Sequence, residues 1–287
     1  VKLGTVNLRS ISSAILSSGP VYSLSLGILK RAVVKEGSLN HVAIIQDGNR
    51  RYARMKNIPS QSGHFLGSKT TDRVADWCID LGIKHLTVYT FSTENFNRPE
   101  DEKRYLFELI RDKLAELCVS RRVHKNKVRV RAIGRTEQFP HDLQEAIREV
   151  EKLTCDYDGM YFNLALGYGG QREMLDAARD LAVKVREGVI RPEEVDEMLI
   201  ARHLYPQDGV ALPDVNLLIR TGGDYRTSNF LPWQTNGNEC PFYICARYWP
   251  EFGEIDFLRA IRAAQLGKLQ SHLRFGFGCA KSPGLDL

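Results

Sequence analysis

Short apolar runs alternate along this chain with longer amphipathic stretches. Val42–Ile45, His85–Phe91, Val128–Ile133, Met160–Leu166, Val215–Ile219 and Phe242–Ala246 read as buried strands. Between them, apolar residues recur at helical spacing. In Gly63–Leu81 they are Phe65, Leu66, Val74, Trp77, Cys78 and Leu81, and Gly82 ends the run. In Glu100–Ser120 the stripe is Tyr105, Leu106, Leu109, Ile110, Leu114 and Leu117. Asp142–Leu153, Arg172–Val185, Pro192–Leu204 and Ile255–Leu266 continue the helical series. Parallel neighbours need crossover connections of about this length, so the pattern predicts an α/β fold: a single domain with a central, mostly parallel six-stranded sheet flanked by helices. The expected organisation is an N-terminal arm or helix over 1–40, a body over 41–276 and a tail over 277–287.

The polar clusters fall at particular places in that pattern. Asp47-Gly48-Asn49-Arg50-Arg51 follows the first strand, Ser92–Arg98 (STENFNR) the second, and Arg220–Ser228 (RTGGDYRTS) the fifth. Ligands of open parallel sheets bind outside the carboxyl ends of the strands, so all three clusters are expected on one rim. Asp47 suits a hard cation, Gly48 allows close backbone approach, and the arginines suit phosphate oxygens. A tight turn with solvated charges would explain the Asp-Gly dipeptide alone. Arg220, Arg226 and Ser228 around two glycines form a second phosphate-gripping vocabulary. Glu239, entering an apolar strand, needs a partner, which a metal shared with Asp47 or a buried ion pair supplies equally well. Asn95 is placed to orient a substrate or relay a proton, and Arg98 to reach a leaving diphosphate.

Composition narrows the chemistry. The 287 residues carry a net charge of +5, without dense Lys/Arg clusters, so nucleic acid is not an expected partner, whereas anionic small molecules or an anionic membrane surface are. Six cysteines, at 78, 118, 155, 240, 245 and 279, form no Cys-x-x-Cys pair, and the reading is reduced thiols in a cytoplasmic protein. The histidines form no zinc motif, and neither a Gly-x-x-x-x-Gly-Lys-Ser/Thr loop nor a Gly-x-Gly-x-x-Gly turn is present. Residues 1–35 combine Lys2, Arg9, Lys30, Arg31 and Lys35 with Leu24, Leu26, Ile28 and Leu29 and have no acid, which suits an arm on a membrane surface, an arm packed on the body or a disordered one. No signal-peptide pattern or membrane-span length is read. From the residues alone, the expectation is Mg2+-assisted chemistry on phosphorylated small molecules.

Taken together, HVAIIQDGNRRYA, Gly63-His64, YTFSTENFNRP, GYGGQRE, LIRTGGDYRTSNFLPWQ and Glu239 with Trp249-Pro250 resemble the cis-prenyltransferases, the undecaprenyl and dehydrodolichyl diphosphate synthases, from about His41 to the C-terminal region. NRRYA and NECPFYICARYWPEF resemble archaeal members in particular. The resemblance implies Mg2+-dependent addition of isopentenyl diphosphate to an allylic prenyl diphosphate, giving a poly-cis polyprenyl diphosphate that serves as a precursor of a glycosyl-carrier lipid. It assigns Asp47, Asn95 and Ser92 to catalysis, and Gly48, Asn49, Arg50, Arg51, His64 and Arg98 to the allylic diphosphate. Arg220, Arg226, Ser228, Arg274 and Gly276 are assigned to isopentenyl diphosphate, and Asp47 and Glu239 to the metal. It further implies a homodimer, with Glu239 and the Arg274-Phe275-Gly276 segment acting across its interface, and a peripheral contact with the membrane. An apolar tunnel is expected between helices 63–81 and 100–120, with Phe65, Leu66, Trp77, Leu106, Leu109 and Ile110 as its wall, although core packing explains the same residues equally well. Four positions depart from the family pattern: Ser60 replaces a basic residue, Gln46 a Met, Arg135 an Asp and Gly167 an Asn. The missing charge at 60 leads to an alternative expectation of relaxed acceptor use, with another small isoprenoid diphosphate or an alcohol, and puts more phosphate load on Arg50 and Arg51. A non-catalytic partner subunit is the other alternative, and the retained Asp47, Asn95, Arg220, Arg226, Ser228 and Glu239 argue against it.

Overall fold

The computed structural model describes residues 19–206, 210–235 and 240–276. Six strands form one sheet: β1 (His41–Ile45), β2 (His85–Ser92), β3 (Val128–Ile133), β4 (Met160–Tyr168), β5 (Leu217–Arg220) and β6 (Phe242–Ile244). Their order is β3-β4-β2-β1-β5-β6, and every pairing is parallel, so the sheet is wholly rather than mostly parallel. β1 is buried at all five positions, as expected of a central strand covered on both faces.

The helices are α1 (Pro20–Lys35), α2 (Asn49–Met55), α3 (Ser60–Asp80), α4 (Glu100–Cys118), α5 (Arg121–Lys125), α6 (His141–Thr154), α7 (Gly170–Arg186), α8 (Glu197–His203) and α9 (Glu254–Gly276). Pro59, Pro99 and Pro140 immediately precede α3, α4 and α6, where proline has no helical N–H to forfeit. Leu143, Ile147, Val150 and Thr154 form the buried stripe of α6. Gly82, at φ 68°, ends the α3 region in the left-handed conformation that favours glycine. The segment expected as one helix over Pro192–Leu204 is instead a single 3-10 turn, Pro192–Glu194, followed by α8. Asp196 starts that helix by accepting the Leu199 N–H at 2.7 Å.

The chain forms two compact units. Leu39–Phe252 contains the sheet with α2 to α8. The other pairs α1 with α9, where Gln265 Nε2 donates to the carbonyls of Val33 (3.0 Å) and Gly37 (2.8 Å), and Arg262 approaches Glu36 at 3.4 Å. None of the helices among the described residues is long and apolar enough to cross a membrane.

Within the first unit, a buried polar ladder runs across four strands. His41 Nε2 and Thr87 Oγ1 lie 2.7 Å apart, Asn163 Nδ2 donates to Thr87 Oγ1 at 3.0 Å, and Arg131 Nε donates to Asn163 Oδ1 at 2.9 Å. These bonds fix register where apolar packing would tolerate a slip. The chain moves from β1 to its neighbour β2, on to the edge strand β3 and back to β4 between them, then crosses to β5 on the other side of β1. The topological switch therefore lies between β1 and β5, where Asp47 and Arg220 emerge.

Candidate active site

Asp47 leaves β1 and is gripped from two sides. Arg51 Nη2 lies 2.9 Å from Oδ1, and Arg220 Nη2 lies 2.7 Å from Oδ2. Burial alone would raise the Asp47 carboxyl; the hydrogen bonds from Arg220 and Arg51 outweigh it and hold the group below the usual carboxylate range. Gly48 follows at φ 111°, and a Cβ there would fall 2.6 Å from the Tyr248 ring, so glycine is required on both counts. The chain does not simply turn after Asp-Gly, since Asn49 opens α2, which carries Arg50, Arg51 and Arg54 to the rim. α2 packs on α3 through glycine: a Cβ on Gly63 would stand 2.4 Å from the Asn49 carbonyl oxygen. Arg51 is further fixed by Gly222 O at 3.0 Å and by the Tyr248 ring, 5.3 Å away.

Arg220, only 3% exposed, is the hub of the second cluster. Its Nη2 donates to Asp47 and, at 3.0 Å, to Asp224, while Nη1 donates to Ser228 Oγ at 2.6 Å and to the Arg226 carbonyl. Its Nε is buried without a partner. Arg220 thus organises the cluster rather than presenting a free guanidinium. Arg226, with a side chain 74% exposed, faces outward and touches Asp224 at 3.2 Å.

A third group gathers on Glu102, in the first turn of α4. It accepts from Arg98 Nη1 at 3.0 Å, pairs with His64 Nε2 at 3.2 Å and lies 3.8 Å from Arg50. Burial, then the charge of Arg98, pushes the His64 pKa down, while Glu102 pulls it up, with a net lowering.

These side chains enclose a charged cleft of about 420 Å³ lined by Gln46, Asp47, Gly48, Asn49, Arg50, Arg51, Arg54, His64, Arg98, Asp224 and Arg226. An apolar pocket adjoins it, lined by Leu106, Leu109, Ile110, Leu114, Leu117, Phe162, Leu164 and Trp249. Gln46, Asn49 and His64 line both, so the two spaces meet at these three residues.

The residues singled out in the sequence fare differently. Asp47, Gly48, Asn49, Arg50, Arg51, His64, Arg98 and Arg226 line the cleft, and Arg220 and Ser228 brace it from behind. Ser92 and Asn95 do not line it: Asn95 Oδ1 accepts the Ser92 N–H at 3.1 Å, closing a turn at the end of β2. Glu239 lies outside the described residues. Arg274 and Gly276 fall in the last turns of α9, where the backbone alone is described. Ser60 opens α3 with its Oγ buried and unpartnered, and does not line the cleft. Of the expected tunnel wall, Leu106, Leu109 and Ile110 line the pocket; Phe65 and Leu66 are 44% and 37% exposed and, like Trp77, stand outside it. Arg54, Glu102 and Asp224 escape the sequence reading. Glu102 sits four residues after Arg98 and Asp224 lies between the two arginines of RTGGDYR, which are the signals that point to them.

Comparison with known proteins shows the family. Residues 45–270 match the family described as putative undecaprenyl diphosphate synthase. A protein of Archaeoglobus fulgidus named tritrans,polycis-undecaprenyl-diphosphate synthase (geranylgeranyl-diphosphate specific) is 48% identical over 84% of this chain and 94% of its own length. A protein of the same name from Methanocaldococcus jannaschii is 43% identical over 87% and 88%. The crystal structure of lavandulyl diphosphate synthase from Lavandula x intermedia in complex with dimethylallyl diphosphate superposes with a TM-score of 0.72 at 36% identity, covering 79% of this chain and 94% of that one. That of a probable undecaprenyl diphosphate synthase from Campylobacter jejuni gives 0.64 at 31%, covering 80% and 96%. The chain is a prenyltransferase and belongs to the undecaprenyl diphosphate synthase family.

Proposed function

We propose that the protein extends an allylic prenyl diphosphate, geranylgeranyl diphosphate being the primer favoured by the names of its archaeal relatives, by repeated cis addition of isopentenyl diphosphate. One observation carries the reading: an arginine-lined cleft opens, across Gln46, Asn49 and His64, into an apolar pocket, which suits a substrate with a diphosphate head and a hydrocarbon tail. In each cycle the allylic C–O bond breaks and the diphosphate departs with the bonding pair. The alkene of isopentenyl diphosphate attacks the allylic carbon, and a proton leaves the resulting cation. Arg50, Arg54 and Arg98 face the departing diphosphate, and Arg226, on the turn that Ser228 and Arg220 brace, faces the incoming one.

Asp47 fits a Mg2+ site. Its carboxylate is ionised, partly exposed and on the cleft floor, and no group of three metal-binding side chains surrounds it among the described residues. Mg2+ is commonly held by one or two carboxylates together with phosphate oxygens and water. When bound, it would neutralise charge on the diphosphates. Glu239 and the Arg274-Phe275-Gly276 segment support a homodimer through the family likeness. α1, with Leu24 and Ile28 exposed near Arg31 and Lys35, supports a peripheral membrane contact for a protein working in the cytoplasm and making a carrier-lipid precursor.

The test is incubation of purified protein with Mg2+, labelled isopentenyl diphosphate and allylic primers of several lengths, with products weighed by mass spectrometry. Extended products are expected, and their absence with every primer overturns the reading. Asp47→Ala should abolish turnover with an unchanged circular dichroism spectrum.

A further inference from the structure

Neither the motif GYGGQRE nor Asn229, which follows Ser228, lines the cleft. Gly169 precedes α7 and supplies no side-chain cap. The cap comes instead from 58 residues away: Asn229 Oδ1 accepts the Gln171 N–H at 2.8 Å, and the Asn229 carbonyl accepts the Gly170 N–H, also at 2.8 Å. One residue thus satisfies two of the first amides of a 17-residue helix.

The two glycines make room for this. A Cβ on Gly170 would lie 2.1 Å from the Pro232 ring and 3.0 Å from the Asn229 carbonyl, and one on Gly169 would lie 2.8 Å from Thr93 Oγ1 and 3.3 Å from Asn229 Nδ2. Asn229 itself stands at φ 60°, directly after Ser228 at φ 51°. Such left-handed pairs of non-glycine residues are unfavourable and persist where the surroundings impose them. Here the imposing contacts are the α7 cap on one side and Phe230 on the other, buried and stacked on Tyr89 at a centroid distance of 4.5 Å. The consequence reaches the cleft, because this turn delivers Ser228 Oγ to Arg220, which in turn holds Asp47 and Asp224.

We infer that Asn229 is a positioning residue for the second diphosphate cluster, setting the Ser228–Arg220–Arg226 geometry by bolting its turn to the start of α7. The inference rests on the proposed elongation and concerns isopentenyl diphosphate binding rather than the primer.

Asn229→Gly keeps the left-handed backbone and removes the side-chain cap, whereas Asn229→Asp keeps an acceptor in the same place. Steady-state kinetics should show KM for isopentenyl diphosphate raised about twofold to tenfold in Asn229→Gly, the range expected from losing one hydrogen bond. KM for the allylic primer should be unchanged, and Asn229→Asp should return KM for isopentenyl diphosphate toward the wild-type value. A merely structural role would lower the melting temperature and active fraction while leaving both KM values alone, and that result overturns the inference. Equal increases in both KM values overturn it too. Wild-type protein assayed in parallel separates the two ideas: if it elongates and Asn229→Gly matches it, the positioning role falls alone, and if it does not elongate, both fall.

Discussion

Arg220→Met tests the electrostatic centre of the cleft. In the wild-type protein one guanidinium nitrogen, Nη2, lies 2.7 Å from Asp47 and 3.0 Å from Asp224. The two carboxylate oxygens are therefore within about 6 Å of each other, and without the bridging cation they repel by about 3 kcal/mol at an effective dielectric of about 20. Asp47 is 27% and Asp224 36% exposed, and Arg51 remains 2.9 Å from Asp47 and 4.0 Å from Asp224, so screening reduces that to about 1–2 kcal/mol. Loss of the charged hydrogen bonds to Ser228 and the Arg226 carbonyl adds about 1 kcal/mol, giving about 2–3 kcal/mol in all. For a protein of this size the melting temperature should fall by about 3–5 °C. The pH dependence identifies the cause. With its folded pKa depressed, Asp47 contributes stability that is present above the unfolded carboxylate pKa and lost as pH falls through the folded value. In the variant Asp47 faces Asp224 without Arg220, its pKa rises, and protonation relieves the repulsion. The deficit should be largest near pH 8 and shrink below about pH 5. Thermal melts followed by circular dichroism at both pH values measure this. An equal deficit at both, or none, refutes the reasoning. Arg220→Lys should fall between, because one ammonium cannot reach all four acceptors.

Glu173 gives an independent pH signature. Burial raises its pKa to about 7, against lowering by bonds from the Tyr168 hydroxyl and the Tyr205 N–H. With the folded pKa above the unfolded one, its contribution is fully present below the unfolded pKa of about 4.5 and is lost as pH rises through about 7. Glu173→Gln should flatten the decline in stability between those limits in a denaturation series, and parallel curves would count against the assignment. Leu109→Trp, in the pocket wall, should shorten the products seen by mass spectrometry; unchanged length would remove the hydrocarbon chain from this pocket. Gly63→Ala forces a Cβ against the Asn49 carbonyl and Ala53 and should cost about 1–3 kcal/mol. It should also raise KM for the primer by displacing the helix that carries Arg50 and Arg51, and wild-type stability and KM together would contradict the packing argument.

The strands and the rim position of the charged clusters are legible in the sequence because both follow from short-range pattern. Continuous apolar runs such as HVAII mark buried parallel strands, and in such a sheet chemistry gathers at the strand ends. What escapes depends on tertiary placement. α2 is hidden because NRRYARM buries Ala53 alone, so it has no apolar stripe, and the preceding Asp-Gly signals a turn. Phe65 and Leu66 share helical spacing with Val74 and Cys78, but the face that α3 turns to the interior is set by Gly63, Gly67 and their contacts with Asn49. Glu102 is masked by its neighbours, since Glu100 and Asp101 satisfy the expectation of acids at a helix start equally well.

The distribution of charge also bears on which side chains would carry the phosphate load under the proposed function, where Ser60 lacks a cation. By sequence, Arg51 shares that load with Arg50. Its guanidinium is instead committed to Asp47, Gly222 and the Tyr248 ring, and moving it would release Asp47. Arg54, three residues on, lines the same cleft, is exposed and makes no ion pair among the described residues. Arg50 has a side chain 56% exposed and a single distant carboxylate, Glu102 at 3.8 Å. A diphosphate entering the cleft meets these two arginines without first breaking an internal bond, whereas Arg51 and Arg220 would have to give up bonds to Asp47. Under the proposed function the arginines of the cleft would therefore divide the work: Arg51 and Arg220 hold Asp47 and keep its pKa low, and the exposed pair on α2, Arg50 and Arg54, would bind the phosphate oxygens.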